Sequence, residues 1–593
     1  ATELASRLRA LTGVALPSTI VFEQPTSRAI VTHLLEQLDA SATEASVEPT
    51  AARASITDAG ARLSLAGMVG RWPGGCDDEA AHWRLQEACD DGVSGVPLIQ
   101  WVLEAMTDEG GIYTAQVTCV WHGGFVKGVQ RYVDAAFGLS PAEAEAMDPH
   151  RRRQLELGYA ALHGSSHRRV ALWNSHGGNF VGVERPDWAL VQPLLPSGSG
   201  YAATGDEVSV ATGRLCFVLG LYGPCASVGT VCALAWVMAR RGADCVTGDE
   251  CSEVVALTLS LKLAPHTTLS ATSAGMLSVH WRCKTLHACA SGNTRSEDTG
   301  AGGLQRSDAA LVQLGGHPVW QDGRSASQMA PNASAQRMLL LAALGGPALE
   351  SADVGGVEGH DTSTALGELT QMGSLAAVHG GAEHPTRLVV GAAKASISHS
   401  EATAVYTVLQ VLCVVPGAAA SAGTQLRALD PLVVERLGGS IRVGLLAQGA
   451  VCEKVCGEVN SSGYNGSIAI VAPCPAAGEL RWRQPSSQLA YRPFDFPWRN
   501  TRHPFVQLRL LTPTKGTNLF RSPAVIPFHV LVADHVVHHH VIFPGMGYLE
   551  LARAAASAMA ALYRVFFLRP LSVKASGLAI ECQVGDGRFE VSS

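Results

Sequence analysis

Apolar and polar residues along the chain form two recurring patterns that differ in length. Short apolar runs such as Arg62–Gly67 and Leu388–Gly391 predict buried β-strands. Longer apolar runs, of which Cys232–Arg241 is the clearest, predict buried helices; no helix breaker interrupts this run before Gly242. Strands that alternate with helices in this way predict an α/β fold whose sheets are largely parallel, because the connecting helices cover the faces of each sheet.

The first sixty residues follow a different pattern. Leu4, Leu8 and Leu11 share one face of a predicted helix, and Thr12-Gly13 stops it. Residues 1–40 therefore predict a helix, a turn and a second helix. Residues 41–60 are rich in Ala, Ser, Thr and Glu without apolar periodicity, and they predict a flexible linker.

One cysteine occupies a special place in this pattern. Turn-forming and β-branched residues typical of a strand and a tight bend precede Cys232, and the long apolar helix follows it. A thiol at the start of a helix meets unpaired N–H groups and the positive end of the helix dipole, which favour the thiolate. Cys232 is therefore a candidate nucleophile. The alternative is a buried structural cysteine, since the chain contains 15 cysteines.

Two histidines lie at comparable positions further along the chain. His360 is in the polar loop E-G-H-D-T-S-T-A-L-G. His399 is in K-A-S-I-S-H-S-E, which begins at Lys394, after the predicted strand Leu388–Gly391. A single histidine at a strand end is more often a capping or core residue than a catalyst. Here one cysteine and two histidines each lie at a strand-to-helix turn, which strengthens the case for Cys232 as a nucleophile.

These three segments resemble those of the β-ketoacyl synthase (ketosynthase) family of modular type I polyketide synthases. In that family they usually read D-T-A-C-S-S, H-G-T-G-T and K-S-N-I-G-H-L-E, in the same order. The resemblance implies a thiolase-like αβαβα fold over residues 61–473. It also implies a decarboxylative Claisen condensation, in which Cys232 carries the acyl chain while His360 and His399 stabilise the enolate of a malonyl-type extender.

The resemblance assigns supporting roles to two further residues and implies the partners of the reaction. Lys394 would fix the loop of His399, and Tyr464 lies in a segment similar to the family's gating and oxyanion loop. An acyl carrier protein bearing phosphopantetheine would deliver both thioesters, a separate acyltransferase would load it, and the ketosynthase would be a homodimer. The ketosynthase itself would bind no metal and no cofactor directly.

Six residues depart from the usual segments of the family. Around the cysteine, Gly229 replaces an Asp, and Ala233 and Leu234 replace two Ser. Beside the histidines, Asp361, Ser363 and Ser398 replace glycines. Where a replaced glycine has positive φ, the side chain costs about 1 kcal/mol or more. The alternative function is therefore a catalytically degenerate ketosynthase that binds acyl chains or acts as a scaffold. A Cys/His hydrolase is a third alternative, in which the second histidine loop has no use.

The flanking segments resemble other parts of a polyketide synthase. Residues 1–40 are similar to the second half of an acyl carrier protein, whose phosphopantetheine serine would lie upstream of Ala1. Residues 474–520 contain a proline- and aromatic-rich stretch similar to the connector that packs back onto a ketosynthase.

Residues 521–593 resemble the first part of a dehydratase hot-dog domain, whose motif is H-x-x-x-G-x-x-x-x-P. His535 and Pro544 match this motif, whereas His539 replaces its glycine. The resemblance implies that His535 is a dehydratase-like base. A metal site formed by His535 and the histidines at 538–540 is the alternative, although no spaced carboxylates accompany them.

Composition narrows the possible functions further. The formal net charge of −7 and the lack of a basic block argue against nucleic-acid binding. No apolar run is long enough to predict a membrane span. The odd number of cysteines, scattered through predicted core segments, is typical of reduced thiols in the cytoplasm.

Overall fold

The computed structural model describes residues between 2 and 592, and the chain divides into two compact units, Ala1–Phe496 and Pro497–Ser593. The predicted linker at 41–60 lies outside the described residues. The gaps of seven residues or more in the description are 36–62, 102–118, 192–200, 381–387, 402–418, 476–492, 497–504, 511–517, 524–531 and 556–562.

The helices are labelled in chain order. Those of the first unit are α1 (Thr2–Thr12), α2 (Glu79–Glu87), α3 (Pro141–Ala146), α4 (Pro149–Gly164), α5 (Arg169–Leu172), α6 (Trp188–Val191), α7 (Ala202–Gly205), α8 (Val208–Leu219), α9 (Leu234–Thr247), α10 (His266–Ser273), α11 (Ala333–Gly345), α12 (Ala365–His379), α13 (Lys394–Ile397) and α14 (Pro431–Leu437). The second unit contains α15 (Gly545–Ala555). Short 3-10 turns lie at Pro73–Gly75, Asp134–Phe137, Val231–Ala233 and Ser351–Asp353.

The strands of the first unit form two large sheets and several two-stranded ribbons. They are β1 (Leu63–Arg71), β2 (Val93–Gly95), β3 (His122–Gly124), β4 (Arg131–Tyr132), β5 (Gly178–Val183), β6 (Cys225–Val228), β7 (Glu253–Ser260), β8 (Asp298–Arg306), β9 (Val312–Leu314), β10 (Val319–Gln321), β11 (Val354–Glu358), β12 (Leu388–Gly391), β13 (Ala419–Ala420), β14 (Val443–Leu445), β15 (Ala450–Val451), β16 (Cys456–Ser462), β17 (Ser467–Val471), β18 (Pro473–Pro475) and β19 (Phe494–Asp495). The first sheet has the order β18-β9-β1-β8-β7-β5-β6, and the second has the order β10-β17-β16-β11-β12-β14.

Each large sheet contains a parallel centre that sets the position of the functional loops. In the first sheet β5 is parallel to both β6 and β7, and in the second β11 is parallel to β12 and β16. Loops that follow the carboxyl ends of neighbouring parallel strands meet at one edge of a sheet. The loops after β11 and β12 therefore carry their side chains to the same edge of the second sheet.

Helix α9 lies between the two sheets. Its residues Trp236 and Met238 are buried in one cluster with Phe180 of the first sheet and with Val459 and Val471 of the second. The outer face of the first sheet is covered by α4 and α8, and that of the second by α11, α12 and α14. The resulting α-β-α-β-α order of layers is that of the predicted thiolase-like fold.

The sequence misplaced the end of α9. Gly242 was expected to break this helix, but the helix continues to Thr247. A Cβ atom added at Gly242 would lie 2.7 Å from Val254 Cγ1 and 3.0 Å from Leu304 Cδ1. The glycine therefore permits close packing of the helix against the first sheet rather than ending it.

The N-terminal helix and only the first part of the predicted connector lie within the first unit. Helix α1 forms where the sequence predicted a helix, but Leu4 and Leu11 of the predicted apolar face are exposed. Ala5 of this helix is buried instead, together with Leu16 and Ile20. Its assignment to a carrier protein stays a prediction. Strand β19, which lies in the predicted connector, pairs with β4 through Phe494 and Tyr132.

The second unit is an antiparallel sheet, β20 (Leu508–Leu510), β21 (Asn518–Pro523), β24 (Ala579–Gly585) and β25 (Arg588–Ser592), with a separate hairpin of β22 (Val536–Val537) and β23 (His540–Val541). Leu551 of α15 is buried with Phe543 and Ile580. Because β20 pairs with β21, this sheet begins inside the segment 474–520 that the sequence analysis treated as connector. No helix in the described ranges is both long enough and apolar enough to cross a bilayer.

The packing of Gly242 generates a stability prediction. Gly242→Ala should lower the free energy of unfolding of the first unit by about 1–3 kcal/mol, because overpacking outweighs the gain in helix propensity. The matched control is Gly213→Ala in α8, where an added Cβ meets nothing within 4 Å. This control should stabilise the same unit by roughly 1 kcal/mol. Denaturant titrations of both variants measure the difference, and equal effects of the two substitutions would contradict the packing argument.

Candidate active site

Cys232 lies in a strained turn between β6 and α9. The turn contains Val231 at φ 50°, a left-handed conformation that is costly for a β-branched residue. The Ser461 hydroxyl on β16 donates a hydrogen bond of 2.6 Å to the Cys232 carbonyl. This bond holds the turn, which belongs to the first sheet, against the second sheet. The Cys232 side chain is consequently buried at the place where the two sheets meet.

His399 contacts the Cys232 thiol directly. Its Nε2 atom lies 3.1 Å from the Cys232 Sγ atom. The backbone of His399 is fixed on both sides, because its N–H donates to the Thr294 carbonyl (2.9 Å) and its carbonyl accepts from the Ser296 N–H (2.9 Å). The imidazole position is thus set by pairing of the loop with the segment that precedes β8.

His360 lies beside His399 in the loop that follows β11. The two rings have centroids 5.4 Å apart and are nearly perpendicular, at 85°. The backbone N–H of His360 donates to Oε1 of Gln371 on α12 (3.1 Å). One side-chain atom from each of Cys232, His360 and His399 lies within 4.8 Å of the others. The structure therefore brings together the cysteine and the two histidines that the sequence analysis singled out.

Lys394 connects the two histidine loops. It begins α13, the short helix that leads to His399, but its ammonium group donates to the carbonyls of His360 and Gly359, the latter at 3.3 Å. Lys394 therefore ties the segment that leads to His399 to the loop of His360, and its part in fixing the His399 loop stays a prediction. The Lys394 side chain is buried, so these carbonyls stabilise a charge that lies out of water.

Tyr464 lies in the turn between β16 and β17. Its ring is about half exposed, whereas its backbone N–H is close enough to the Cys232 thiol to lower the pKa of that thiol. Tyr464, Cys232, His360 and His399 all line one cavity of about 200 Å³. When the Cys232 sulfur attacks a thioester carbonyl, the oxyanion that forms on the carbonyl oxygen would therefore lie near the Tyr464 N–H.

Three domains of known families match the chain. Residues 61–310 match the β-ketoacyl synthase N-terminal domain, residues 311–416 match the β-ketoacyl synthase C-terminal domain, and residues 503–593 match the polyketide synthase dehydratase domain. The chain belongs to the β-ketoacyl synthase family.

The curated relatives of this ketosynthase are modular polyketide synthases. The spectinabilin polyketide synthase system protein NorA′ of Streptomyces orinoci is 32% identical over 412 residues, which are 68% of this chain and 11% of the relative. The pikromycin polyketide synthase component PikAII of Streptomyces venezuelae is 32% identical over 419 residues, again 68% of this chain and 11% of the relative. The chain thus spans about a tenth of the length of these relatives.

Solved ketosynthase structures share the fold. The ketosynthase from module 6 of the bacillaene synthase of Bacillus subtilis 168 superimposes with a TM-score of 0.62 at 21% identity, covering 70% of this chain and 72% of that one. The oxazolomycin ketosynthase domain OzmH KS7 of Streptomyces albus JA3453 superimposes with a TM-score of 0.63 at 23% identity, covering 71% and 75% of the two chains.

Burial controls the ionisation of this ketosynthase site. Desolvation raises the pKa of the Cys232 thiol well above its usual value, and the Glu401 carboxylate raises it further, against the opposing effect of Lys394. Burial also lowers the pKa of His399 to about 3 and that of His360 well below its usual value. The helix start alone predicts a thiolate, but the loss of solvation outweighs it. The resting site at neutral pH is therefore a thiol beside two neutral imidazoles.

A buried group of charges next to His399 was missed by the sequence analysis. Glu401 pairs with Arg295, whose guanidinium Nε lies 2.7 Å from the Glu401 Oε1 atom. Arg295 also pairs with Glu184 at 2.5 Å, and Lys262 lies 3.8 Å from Glu401. Arg295 lies in the segment that pairs with the His399 backbone, and Glu401 lies in the His399 loop itself. Their ion pair therefore fixes the His399 loop through side chains as well as through the backbone. The members of this group of charges come from four distant parts of the sequence, so no local motif announces the group.

The residues that replace the family's glycines beside the histidines all have positive φ. The φ angle is 27° at Asp361, 57° at Ser363 and 66° at Ser398, where ψ is −173°. The last combination is essentially restricted to glycine. At Gly229, by contrast, an added Cβ meets nothing within 4 Å, so that glycine is not required by packing. The substitutions beside the histidines store strain in both loops without separating the histidines from Cys232.

His535, the candidate residue of the second unit, is exposed. Its Nδ1 atom lies 2.7 Å from the Ile542 carbonyl oxygen, to which it donates. His538 and His539 form the turn of the β22–β23 hairpin with φ of 47° and 65°. A two-residue turn of this kind needs positive φ at both positions, which explains why the dehydratase-like motif has a glycine where this chain has His539.

The strain at Ser398 yields a prediction. Ser398→Gly should raise the free energy of unfolding of the first unit by about 1–3 kcal/mol, because glycine adopts this backbone conformation without a steric penalty. The control is Ser334→Gly, an exposed position in the first turn of α11, which should lower stability by up to about 1 kcal/mol. Thermal and denaturant unfolding measure both variants. A loss of stability in Ser398→Gly would contradict the assignment of strain to this residue.

Proposed function

We propose that residues 61–473 catalyse the decarboxylative Claisen condensation of an acyl chain held on Cys232 with a malonyl-type extender held on an acyl carrier protein. The observation that carries this proposal is the 3.1 Å contact of the Cys232 Sγ atom with His399 Nε2, in a cavity that His360 also lines. A single Cys–His pair suffices for thioester hydrolysis. The second imidazole has a function in the condensation, because it adds a neutral N–H donor for a developing enolate.

The first half-reaction transfers the acyl chain to the enzyme. His399 takes the thiol proton as Cys232 attacks the carbonyl of the acyl-pantetheine thioester. The tetrahedral oxyanion accepts hydrogen bonds from backbone N–H groups at Cys232 and Tyr464. When it collapses, the pantetheine sulfur leaves and takes the proton back from His399. Because the thiol and the imidazole are both neutral at rest, the proton moves only when the substrate carbonyl is in place.

The second half-reaction forms the carbon–carbon bond. The extender thioester carbonyl accepts hydrogen bonds from His360 and His399, and the bond to its carboxylate breaks to release CO₂. The electron pair left behind forms the enolate, whose carbon attacks the acyl group on Cys232. The Cys232 sulfur then leaves and takes up one proton from solvent through His399, so that the thiol is restored and a β-ketoacyl thioester remains on the carrier. Lys394 positions His360 through its carbonyl and supplies a positive charge near the enolate.

This reaction implies three partners. An acyl carrier protein with phosphopantetheine presents both thioesters, a malonyl-type thioester is the extender, and a separate acyltransferase loads the carrier. The chemistry proceeds through thioesters and side chains, and no directly bound metal or cofactor takes part in it. For the second unit, we propose that His535 is a dehydratase-like base, because its Nδ1–H bond to the Ile542 carbonyl leaves Nε2 available as a proton acceptor.

The two half-reactions predict different effects of substitutions. Incubation with an acyl-pantetheine thioester should leave an acyl group on Cys232, and Cys232→Ala should abolish it. His360→Ala should keep most of this acylation but reduce condensation at least about a hundredfold, because His360 acts on the extender. Intact-protein mass spectrometry and product assays measure the two effects. Cys216→Ala, a cysteine outside the cavity, is the matched control and should change neither.

The degenerate-scaffold alternative makes the opposite prediction for the same experiment. A folded protein whose Cys232 never becomes acylated would contradict the proposed reaction and favour that alternative.

We also propose that the ketosynthase forms a homodimer through β6. This strand is an edge of the first sheet in the described part of the chain, and Cys225, its first residue, is exposed. Phe217 and Tyr222 are large, exposed side chains in the segment that leads to β6. An unprotected edge strand with exposed aromatic neighbours is typical of a surface that pairs with another copy.

Light scattering tests the dimer. Wild-type protein at micromolar concentration should have twice the mass of one chain, because obligate interfaces of this kind bury roughly 2,000 Å² or more. Phe217→Asp should weaken the dimer at least about tenfold, since burying a charge at the interface is costly. The control is Trp320→Asp at the edge strand β10 of the second sheet, which should leave the dimer intact. A monomeric wild-type protein would contradict the proposal.

A further inference from the structure

The carboxyl group of Asp361 has surroundings that the proposed reaction does not explain. Asp361 follows His360 directly and is 2% exposed, and it lines the same cavity as Cys232. Neither of its carboxyl oxygens has a hydrogen-bond partner among the described residues. A buried carboxyl group without partners is costly, so its free hydrogen-bonding capacity is significant.

The position of this carboxyl group is defined by the loop around it. A Cβ atom added at Gly359 would lie 1.9 Å from Asp361 Oδ2, which shows that the carboxyl group packs directly over the Gly359 backbone. The Lys394 ammonium group donates to the Gly359 carbonyl in the same loop. Asp361 therefore adjoins the group that holds His360, at the side of the cavity where the extender would bind.

Several titratable groups face Asp361. Lys394 on α13, Glu358 at the end of β11 and Glu368 on α12 act on it electrostatically, and His360 precedes it in its own loop. Burial raises the pKa of Asp361 to about 7, with Lys394 opposing this and Glu358 adding to it. The carboxyl group is therefore neutral below about pH 7 and ionised above it. Across the cavity lie the other titratable wall residues, Cys232, Asp322, His399, Glu401 and Tyr464.

We propose that Asp361 is a specificity-determining residue that controls the entry of carboxylate-bearing ligands into the cavity. Its carboxyl oxygens are covered in the cavity wall, so it acts through its charge: the ionised form repels a ligand carboxylate across this water-poor wall, and the neutral form does not. This role of Asp361 rests on the proposed function. Binding of the malonyl-type extender weakens as the pH increases, whereas binding of the uncharged acyl chain does not change with pH. The glycine that the family usually has at this position carries no charge at any pH and would not discriminate between the two ligands.

Two alkylating reagents of nearly equal size test the proposal without a carrier protein. Iodoacetate carries a carboxylate, iodoacetamide is neutral, and both react with a cysteine thiolate. We take the ratio of the iodoacetate rate to the iodoacetamide rate at Cys232. This ratio does not depend on the ionised fraction of the thiol, because both reagents react with the same thiolate. In the wild-type protein this ratio should fall about fivefold between roughly pH 6 and pH 8 as Asp361 ionises. At Cys289, an exposed cysteine of the same chain, the ratio should stay constant.

Two variants separate Asp361 from its neighbours. Asp361→Asn keeps a donor, tolerates positive φ and cannot ionise, so the ratio at Cys232 should no longer depend on pH. Asp322→Asn removes the other wall carboxyl whose pKa burial raises, to about 6, and it should leave the wild-type pH dependence in place. A displaced loop changes the rates of both reagents alike and leaves their ratio unchanged.

The outcomes distinguish this proposal from the proposed function. A wild-type ratio that does not change with pH, or one that still changes in Asp361→Asn, overturns the role of Asp361 while the condensation stands. If Cys232 is alkylated by neither reagent and is not acylated, the role of Asp361 and the condensation both fall. A ratio that falls in the wild type and becomes constant only in Asp361→Asn supports the proposal.

Discussion

The contact between the Cys232 thiol and the His399 imidazole is the constraint on which the rest of the site depends. It joins a turn of the first sheet to a loop of the second sheet across 3.1 Å, so the two sheets must pack on α9 in one register. The Ser461 bond to the Cys232 carbonyl and the backbone pairing of His399 hold the two sides of this contact. The strained φ angles of Val231 and Ser398, on either side of it, persist because the surrounding layers leave these residues no other conformation.

The second organising feature is the buried ammonium group of Lys394. Lys394 binds the loop of His360 while it leads in sequence to His399, so that a single side chain couples the two histidines. Burial keeps the thiol and both imidazoles neutral at rest. In the proposed reaction no thiolate is stored, and the substrate triggers the proton transfer that creates the nucleophile. Asp361 adds to this site a carboxyl group whose charge changes near neutral pH.

The sequence predicted the parts of this structure that depend on local pattern. Strand Leu388–Gly391 has the predicted bounds, and the turn of Cys232 lies between a strand and a helix as its residues indicated. Comparison with the family's glycines led to the expectation of backbone strain, and Ser398 has the positive φ that it requires. Features that depend on tertiary packing were not predictable. Gly242 appeared as a helix breaker because Val254 and Leu304, which it packs against, lie elsewhere in the sequence.

The electrostatics of the site were not predictable from the sequence either. The depth of burial that raises the thiol pKa, and the pairing of Arg295 with Glu401, exist only in the folded chain. The proposed reaction couples decarboxylation of the extender to formation of the carbon–carbon bond in one cavity. The most direct measurement supplies acyl-pantetheine and a malonyl-carrier thioester and counts both products. We expect one CO₂ to be released for each β-ketoacyl thioester formed. Release of CO₂ without the β-ketoacyl product, or no reaction by a protein that carries an acyl group on Cys232, would contradict it.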